Sequence, residues 1–190
     1  MPNWTSTSYR VTGDPKGISR LYKTLKKMSR RKNPKISNGF GPMWLGELVN
    51  ELGGNWKTIR CRGAITDFEK EPDGTISIYM YCAWCEQSET RCFLDATLSL
   101  KTYYLDEEPG CGVYETNDTT GKYYPDRFLL DNEDEPLYFQ TLQEAAESVS
   151  GIVGHPVDAS VKAICDALEN YEETHEDEWY SFHQFDVITD

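Results

Sequence analysis

Two runs of alternating side chains joined by a tight polar turn constrain this chain more than any other feature. Thr75–Trp84 sets Ile76, Ile78, Met80 and Cys82 on one side and Tyr79, Tyr81 and Ala83 on the other, the two-residue period of a half-buried strand. The stretch Trp56–Gly63 precedes it, and Ile59, Cys61, Gly63 and Ile65 share one face while Arg60 and Arg62 share the other. Pro72-Asp73-Gly74 between the runs supplies hairpin-turn chemistry. A short helix is expected over Glu89–Thr97, with Ser88 as its N-cap and Phe93 and Ala96 as core contacts. Strands Lys101–Asp106 and Gly112–Thr116 should then pair antiparallel. The central order is therefore strand, turn, strand, helix, strand, strand.

The flanks add amphipathic helices. Asn3–Thr12 is rich in Thr, Tyr, Trp and Val and suits a strand. Asp14 is a good N-cap and Pro15 fits a first helical turn. Ile18, Leu21, Tyr22, Leu25 and Met28 then mark one face of a helix over 15–30. A loop over 33–42 leads to a helix over Met43–Leu52 carrying Trp44, Leu45, Leu48 and Leu52, closed by Gly53-Gly54. Further on, Lys122–Leu130 is strand-like, and Pro125 argues for an edge position. Pro136–Gln140 is a short strand. Thr141-Leu-Gln-Glu144 is a capping box opening a helix with Leu142, Ala145, Ala146, Val149, Ile152 and Val153 in one stripe. Asp158 is the expected cap of a last helix bearing Val161, Ile164, Leu168 and Tyr171, and Trp179–Ile188 resembles a closing strand.

The charge is divided along the chain. The net charge is −13, yet residues 1–100 hold 15 of the 19 Lys and Arg and 10 of the 32 Asp and Glu. Basic residues gather at 16–35, including Lys23, Lys26, Lys27, Arg30, Arg31 and Lys32, and acidic runs occupy Asp131–Glu135 and Glu172–Glu178. The plainest reading of the basic helix is a solvated face. The same face could also neutralise phosphates, or dock on the acidic half of the protein or on an acidic partner. No aromatic stands among its cations, so it offers no evident stacking platform for single-stranded bases.

No apolar run reaches the length of a membrane span. The N-terminal residues lack the charged and apolar regions of a secretory signal. A cytoplasmic location with six reduced cysteines is the resulting expectation. Cys82-Ala-Trp-Cys85 has the spacing of a redox pair, but it ends a strand rather than opening a helix, where a dipole would lower a thiol pKa. Zinc would need Cys82 and Cys85 to meet two of Cys61, Cys92 and Cys111, with the three histidines distant at 155, 175 and 183. Neither acidic run has the alternating oxygen ligands of a calcium loop. No phosphate-binding Gly-rich loop, nucleophile elbow or His-Glu-x-x-His helix is present. No catalytic residue and no cofactor is expected.

Several short motifs taken as a set carry a family resemblance: Met1-Pro2-Asn3-Trp4, Val11-Thr12-Gly13-Asp14, Gly53-Gly54-Asn55-Trp56, Cys61-Arg62-Gly63, Ala83-Trp84 and Glu108-Pro-Gly-Cys-Gly-Val-Tyr114. Residues 1–125 resemble the YubB-like group of small ferredoxin-like proteins carried by phages, plasmids and other mobile elements. Where many members have Trp-Gly-x-Lys-Trp, this chain has Gly-Gly-Asn-Trp. The resemblance implies a fold without an iron–sulfur cluster, and it brings no activity or catalytic residues.

The expectation is an α+β protein. A ferredoxin-like, mostly antiparallel sheet over 1–125 has helices on one face, and 126–190 forms a C-terminal helical and strand extension. The expected role is a non-enzymatic accessory or interaction protein of a mobile element with a protein partner. The alternatives are a nucleic-acid-binding protein using the basic helix, an acidic nucleic-acid mimic, and a thiol or zinc protein.

Overall fold

Strand β1 (Trp4–Gly13) buries Thr5, Thr7, Tyr9 and Val11 and leaves the alternate residues at least partly exposed. One face of it therefore has to be covered. Helix α1 (Pro15–Ser29) follows at once, because the Asp14 carboxylate accepts the N–H groups of Lys16 and Gly17 and Pro15 has no N–H to lose. Then come α2 (Leu45–Glu51), β2 (Gly63–Lys70), β3 (Ile76–Ala83), α3 (Ser88–Leu98), β4 (Leu100–Glu108) and β5 (Val113–Thr116). The computed structural model describes residues 3–132, 135–175 and 177–189. Met1 and Pro2 of the opening motif, Glu133 and Asp134 of one acidic run and Glu176 of the other lie outside the described residues.

The protein is α+β with antiparallel pairing, divided into two units, Met1–Asn117 and Asp118–Asp190. In the first unit the strands lie in the order β2-β3-β1-β4-β5. Val11 pairs with Ile76 on one side and Thr102 on the other, and Thr5 with Cys82. Every neighbouring pair is antiparallel. Ile18, Leu21, Leu25 and Met28 of α1, Leu45, Leu48 and Val49 of α2, and Leu94 and Leu98 of α3 join Tyr9, Val11, Ile65, Ile76, Ile78, Met80 and Tyr104 in one buried cluster. Each fully buried apolar side chain of this kind contributes about 1.5–3 kcal/mol. The opposite sheet face leaves Tyr79 at 41% and Tyr81 at 55% exposure.

Three expectations in this unit are corrected. Strand β2 starts at Gly63 and not at Trp56, because Asn55 turns the chain. Its side-chain oxygen takes the Lys57 N–H and its carbonyl takes those of Thr58 and Ile59, so the backbone of this stretch bonds locally instead of to a strand. Helix α3 is rotated from the expected phase. It buries Thr90, Arg91, Leu94 and Leu98 and leaves Ala96 exposed, while half-buried Phe93 does pack against the core as expected, and its N-cap position is Gln87 rather than Ser88. Helix α2 is shorter than 43–52, with Trp44 at its N-cap.

The second unit holds β6 (Phe128–Asn132), β7 (Leu137–Phe139), α4 (Leu142–Val153), α5 (Val161–Glu172), β8 (Tyr180–Gln184) and β9 (Asp186–Val187). It has its own core of Leu130, Ala145, Ala146, Val149, Ile164, Ala167 and Leu168. The capping box at Thr141 and Glu144 forms as expected. Here too the structure corrects the sequence reading. Residues 122–127 are not strand, since the Asp118 carboxylate takes the N–H groups of Tyr123 and Tyr124 at 2.6 and 3.0 Å. What remains, β6, is the middle strand of the order β7-β6-β8 and not an edge. Ser160, not Asp158, caps α5 by accepting the Ala163 N–H. The closing strand is interrupted at Phe185, which is buried.

Candidate polyanion-binding face

Helix α1 buries its apolar stripe and so has to present the rest of its surface to water. Lys16, Arg20, Lys23 and Lys27 follow one another at helical spacing, and Arg30 stands at the C-cap. With α1 rising about 1.5 Å per residue, this row extends about 20 Å. Lys23, Lys26, Lys27, Arg30 and Arg31 line one shallow depression of about 510 Å³. Lys16, Arg20, Lys23 and Lys27 line another of about 600 Å³ together with Glu51. Lys32 lines neither of these depressions.

These cations divide into two groups. Glu51 receives Lys27 at 2.7 Å, Arg31 at 2.6 Å and Lys35 at 2.5 Å. Glu47, fully buried, takes Arg31 at 3.3 Å and the Ile36 N–H at 2.5 Å. Burial pushes the Glu51 carboxyl upward, but its bonds to Lys27, Lys35 and Arg31 outweigh that and bring it from 4.5 to about 2. Lys27, Arg31 and Lys35 therefore tie α1 and its following loop to α2. The other group is outward-facing. Lys16, Arg20, Lys23, Arg30 and Lys32 are exposed and form no ion pair with a described residue, and Lys26 lies over the Tyr22 ring at 4.8 Å. Sequence reasoning did not single out Glu47 and Glu51. Their four-residue spacing on a predicted helix was the available signal.

The cysteines and histidines do not assemble. Cys61 and Cys82 are buried, Cys85 and Cys165 half-buried, Cys92 and Cys111 exposed, and all six are free thiols. Burial pushes the Cys82 thiol up to about 12 and raises Cys85 as well, the reverse of what a nucleophilic pair needs. Among the described residues no group of three His, Cys, Asp or Glu is placed to hold a metal. His175 stacks on Tyr171 at 3.9 Å, and His183 bonds Ser181 at 2.7 Å. Among the described residues no helix is long and apolar enough to cross a membrane. Comparison with protein-family models, with curated proteins and with solved structures found no match for this chain.

Proposed function

We propose that this is a non-enzymatic accessory protein whose α1 face binds the phosphate backbone of nucleic acid. One observation carries the reading. Lys16, Arg20, Lys23 and Arg30 stand in a row without acidic partners among the described residues, while α2 neutralises only the cations beside them. A row of exposed, unpaired cations on a rigid helix is suited to neutralising successive phosphates, and it reads no bases. The strand order β2-β3-β1-β4, with helices in both crossovers, supports a ferredoxin-like core extended by β5. The YubB-like motifs of residues 1–125 are what supports a role on a mobile element.

The test is fluorescence anisotropy with a labelled DNA duplex, full-length protein and a salt series. Binding that weakens steeply with salt is expected, and the variant Lys23→Glu/Lys26→Glu/Arg30→Glu should abolish it. Binding absent at low salt, or unchanged by charge reversal, would overturn the nucleic-acid reading. An acidic protein captured through α1 instead of DNA would do the same and leave a protein-docking role.

A further inference from the structure

A second concavity, on different elements from the α1 face, combines rings with cations. It encloses about 570 Å³ and is lined by Trp44, Trp56, Lys57, Arg60 and Arg62, with Glu89 at its side. It is a built site. Trp44 donates its indole N–H to the Cys61 carbonyl at 2.6 Å and packs edge-on against Trp56, centroids 5.3 Å apart. Three side chains at the start of α3 hold the loop backbone. Glu89 takes the Arg60 N–H at 2.8 Å, Thr90 donates to the Arg60 carbonyl at 2.6 Å, and Gln87 takes the Arg62 N–H at 2.9 Å.

With its backbone fixed in this way, the loop turns its charges outward. Lys57, Arg60 and Arg62 are all exposed, and none forms an ion pair with a described residue. Lys57 lies 5.6 Å from the Trp56 ring centroid. Among the described residues Glu89 is the one acid lining the concavity, and one of its oxygens is committed to the Arg60 N–H.

The surface continues onto the open sheet face. Arg62 gives its carbonyl to the Ala83 N–H at the end of β3, one residue before β2 begins. By the alternation of β2 it shares a face with Ala64, the partner of Tyr81. Tyr81 and Tyr79 are flanked on β1 by Ser6 and Ser8, whose small side chains leave both rings open. Asp67 beside Tyr79 is the acid at that end.

We propose that this surface binds single-stranded nucleic acid, with a base against Trp56, phosphates on Lys57, Arg60 and Arg62, and the next bases over Tyr81 and Tyr79. A surface that joins rings to a cluster of cations matches a strand that offers unpaired bases as well as phosphates, whereas a duplex hides its bases from such a platform. The site uses no α1 residue and does not rest on the α1 reading.

The probe is a fluorescein-labelled oligothymidine of about 12 nucleotides, compared with an abasic strand of equal length, at ~50 mM salt with full-length protein. The thymidine strand should bind at least about tenfold more tightly than the abasic one. Tyr81→Ser, a change at an exposed position whose folding a thermal melt checks, should shrink that ratio. Arg60→Ala/Arg62→Ala should weaken both strands. The triple α1 reversal should leave the ratio unchanged even where it abolishes duplex binding. Equal affinity for the two strands, no binding by the wild-type chain, or a ratio that depends only on α1 charges would overturn the proposal.

Discussion

The Arg91 Nε–H reaches the Glu86 carboxylate at 3.1 Å inside the first unit, and the Tyr9 hydroxyl donates to the same oxygen. Glu86 and Arg91 are 7% and 6% exposed, and the guanidinium also lies 5.1 Å from the Tyr104 ring centroid. Asp106, fully buried, accepts from Thr7 Oγ1 at 2.6 Å and from the Glu86 N–H at 2.8 Å. Burial raises the pKa of both carboxyls, so the donors around them are what keep these acids in the core.

Arg91→Leu should therefore cost about 3–5 kcal/mol, because it strands the Glu86 charge away from water. Adding Glu86→Gln should restore part of the loss. Urea midpoints of the single and double variants measure this. A double variant no more stable than Arg91→Leu would show that the guanidinium acts through packing alone.

The Glu51 cluster predicts a pH dependence with a definite sign. Its folded-state pKa is about 2 against an ordinary 4.5, so the folded chain holds that proton less tightly than the unfolded chain does. The stabilisation is complete above the ordinary value and drains away as pH falls toward 2. Glu51→Gln should lower stability at pH 7 and flatten the acid limb between these values. Chemical denaturation across that range checks it, and parallel curves for the two proteins would exclude the cluster as the cause.

Thiol chemistry should follow burial. Cys92 and Cys111 are exposed and should react first with a disulfide reagent in the native protein. Cys61 and Cys82 are buried with raised pKa values and should react only as the chain unfolds. Mass mapping of a timed reaction reads the order. Early labelling of Cys82 would revive the redox reading of Cys82 and Cys85.

Two glycines should respond to alanine with opposite signs. A Cβ on Gly63 would stand 2.8 Å from the Tyr81 carbonyl oxygen and 2.9 Å from the Cys82 sulfur, so Gly63→Ala should cost about 1–3 kcal/mol by overpacking the hairpin. Gly151 lies within α4 with open space around it, and Gly151→Ala should gain about 0.5–1 kcal/mol from helix propensity. Thermal melts decide both, and a shift of the same sign in the two variants would contradict the packing argument.

Local rules reached far into this fold. The Asp14 cap, the Thr141–Glu144 box, the hairpin turn at Glu71–Gly74 and the buried row Ile76, Ile78, Met80 and Cys82 each depend on residues within a few positions of one another, so periodicity and capping chemistry exposed them. The phase of α3 was not legible, since it follows from Arg91 meeting Glu86 and Tyr104. Nor was the end of strand character at Tyr123 and Tyr124, whose N–H groups go to a side chain five and six residues earlier.

The same division holds for the candidate surfaces. By itself the sequence determined that α1 is amphipathic and that its outer face is cationic, because both follow from residue spacing on one helix. Only tertiary structure decided which cations stay free, since α2 brings Glu47 and Glu51 against Lys27, Arg31 and Lys35 across 16–24 residues of chain. It also decided that Trp44, Trp56, Arg60 and Arg62 face one concavity, held by side chains of α3 from 25 to 30 positions away. Charge neutralisation and concavity are properties of groups brought together through space, and a one-dimensional pattern carries no distance between them.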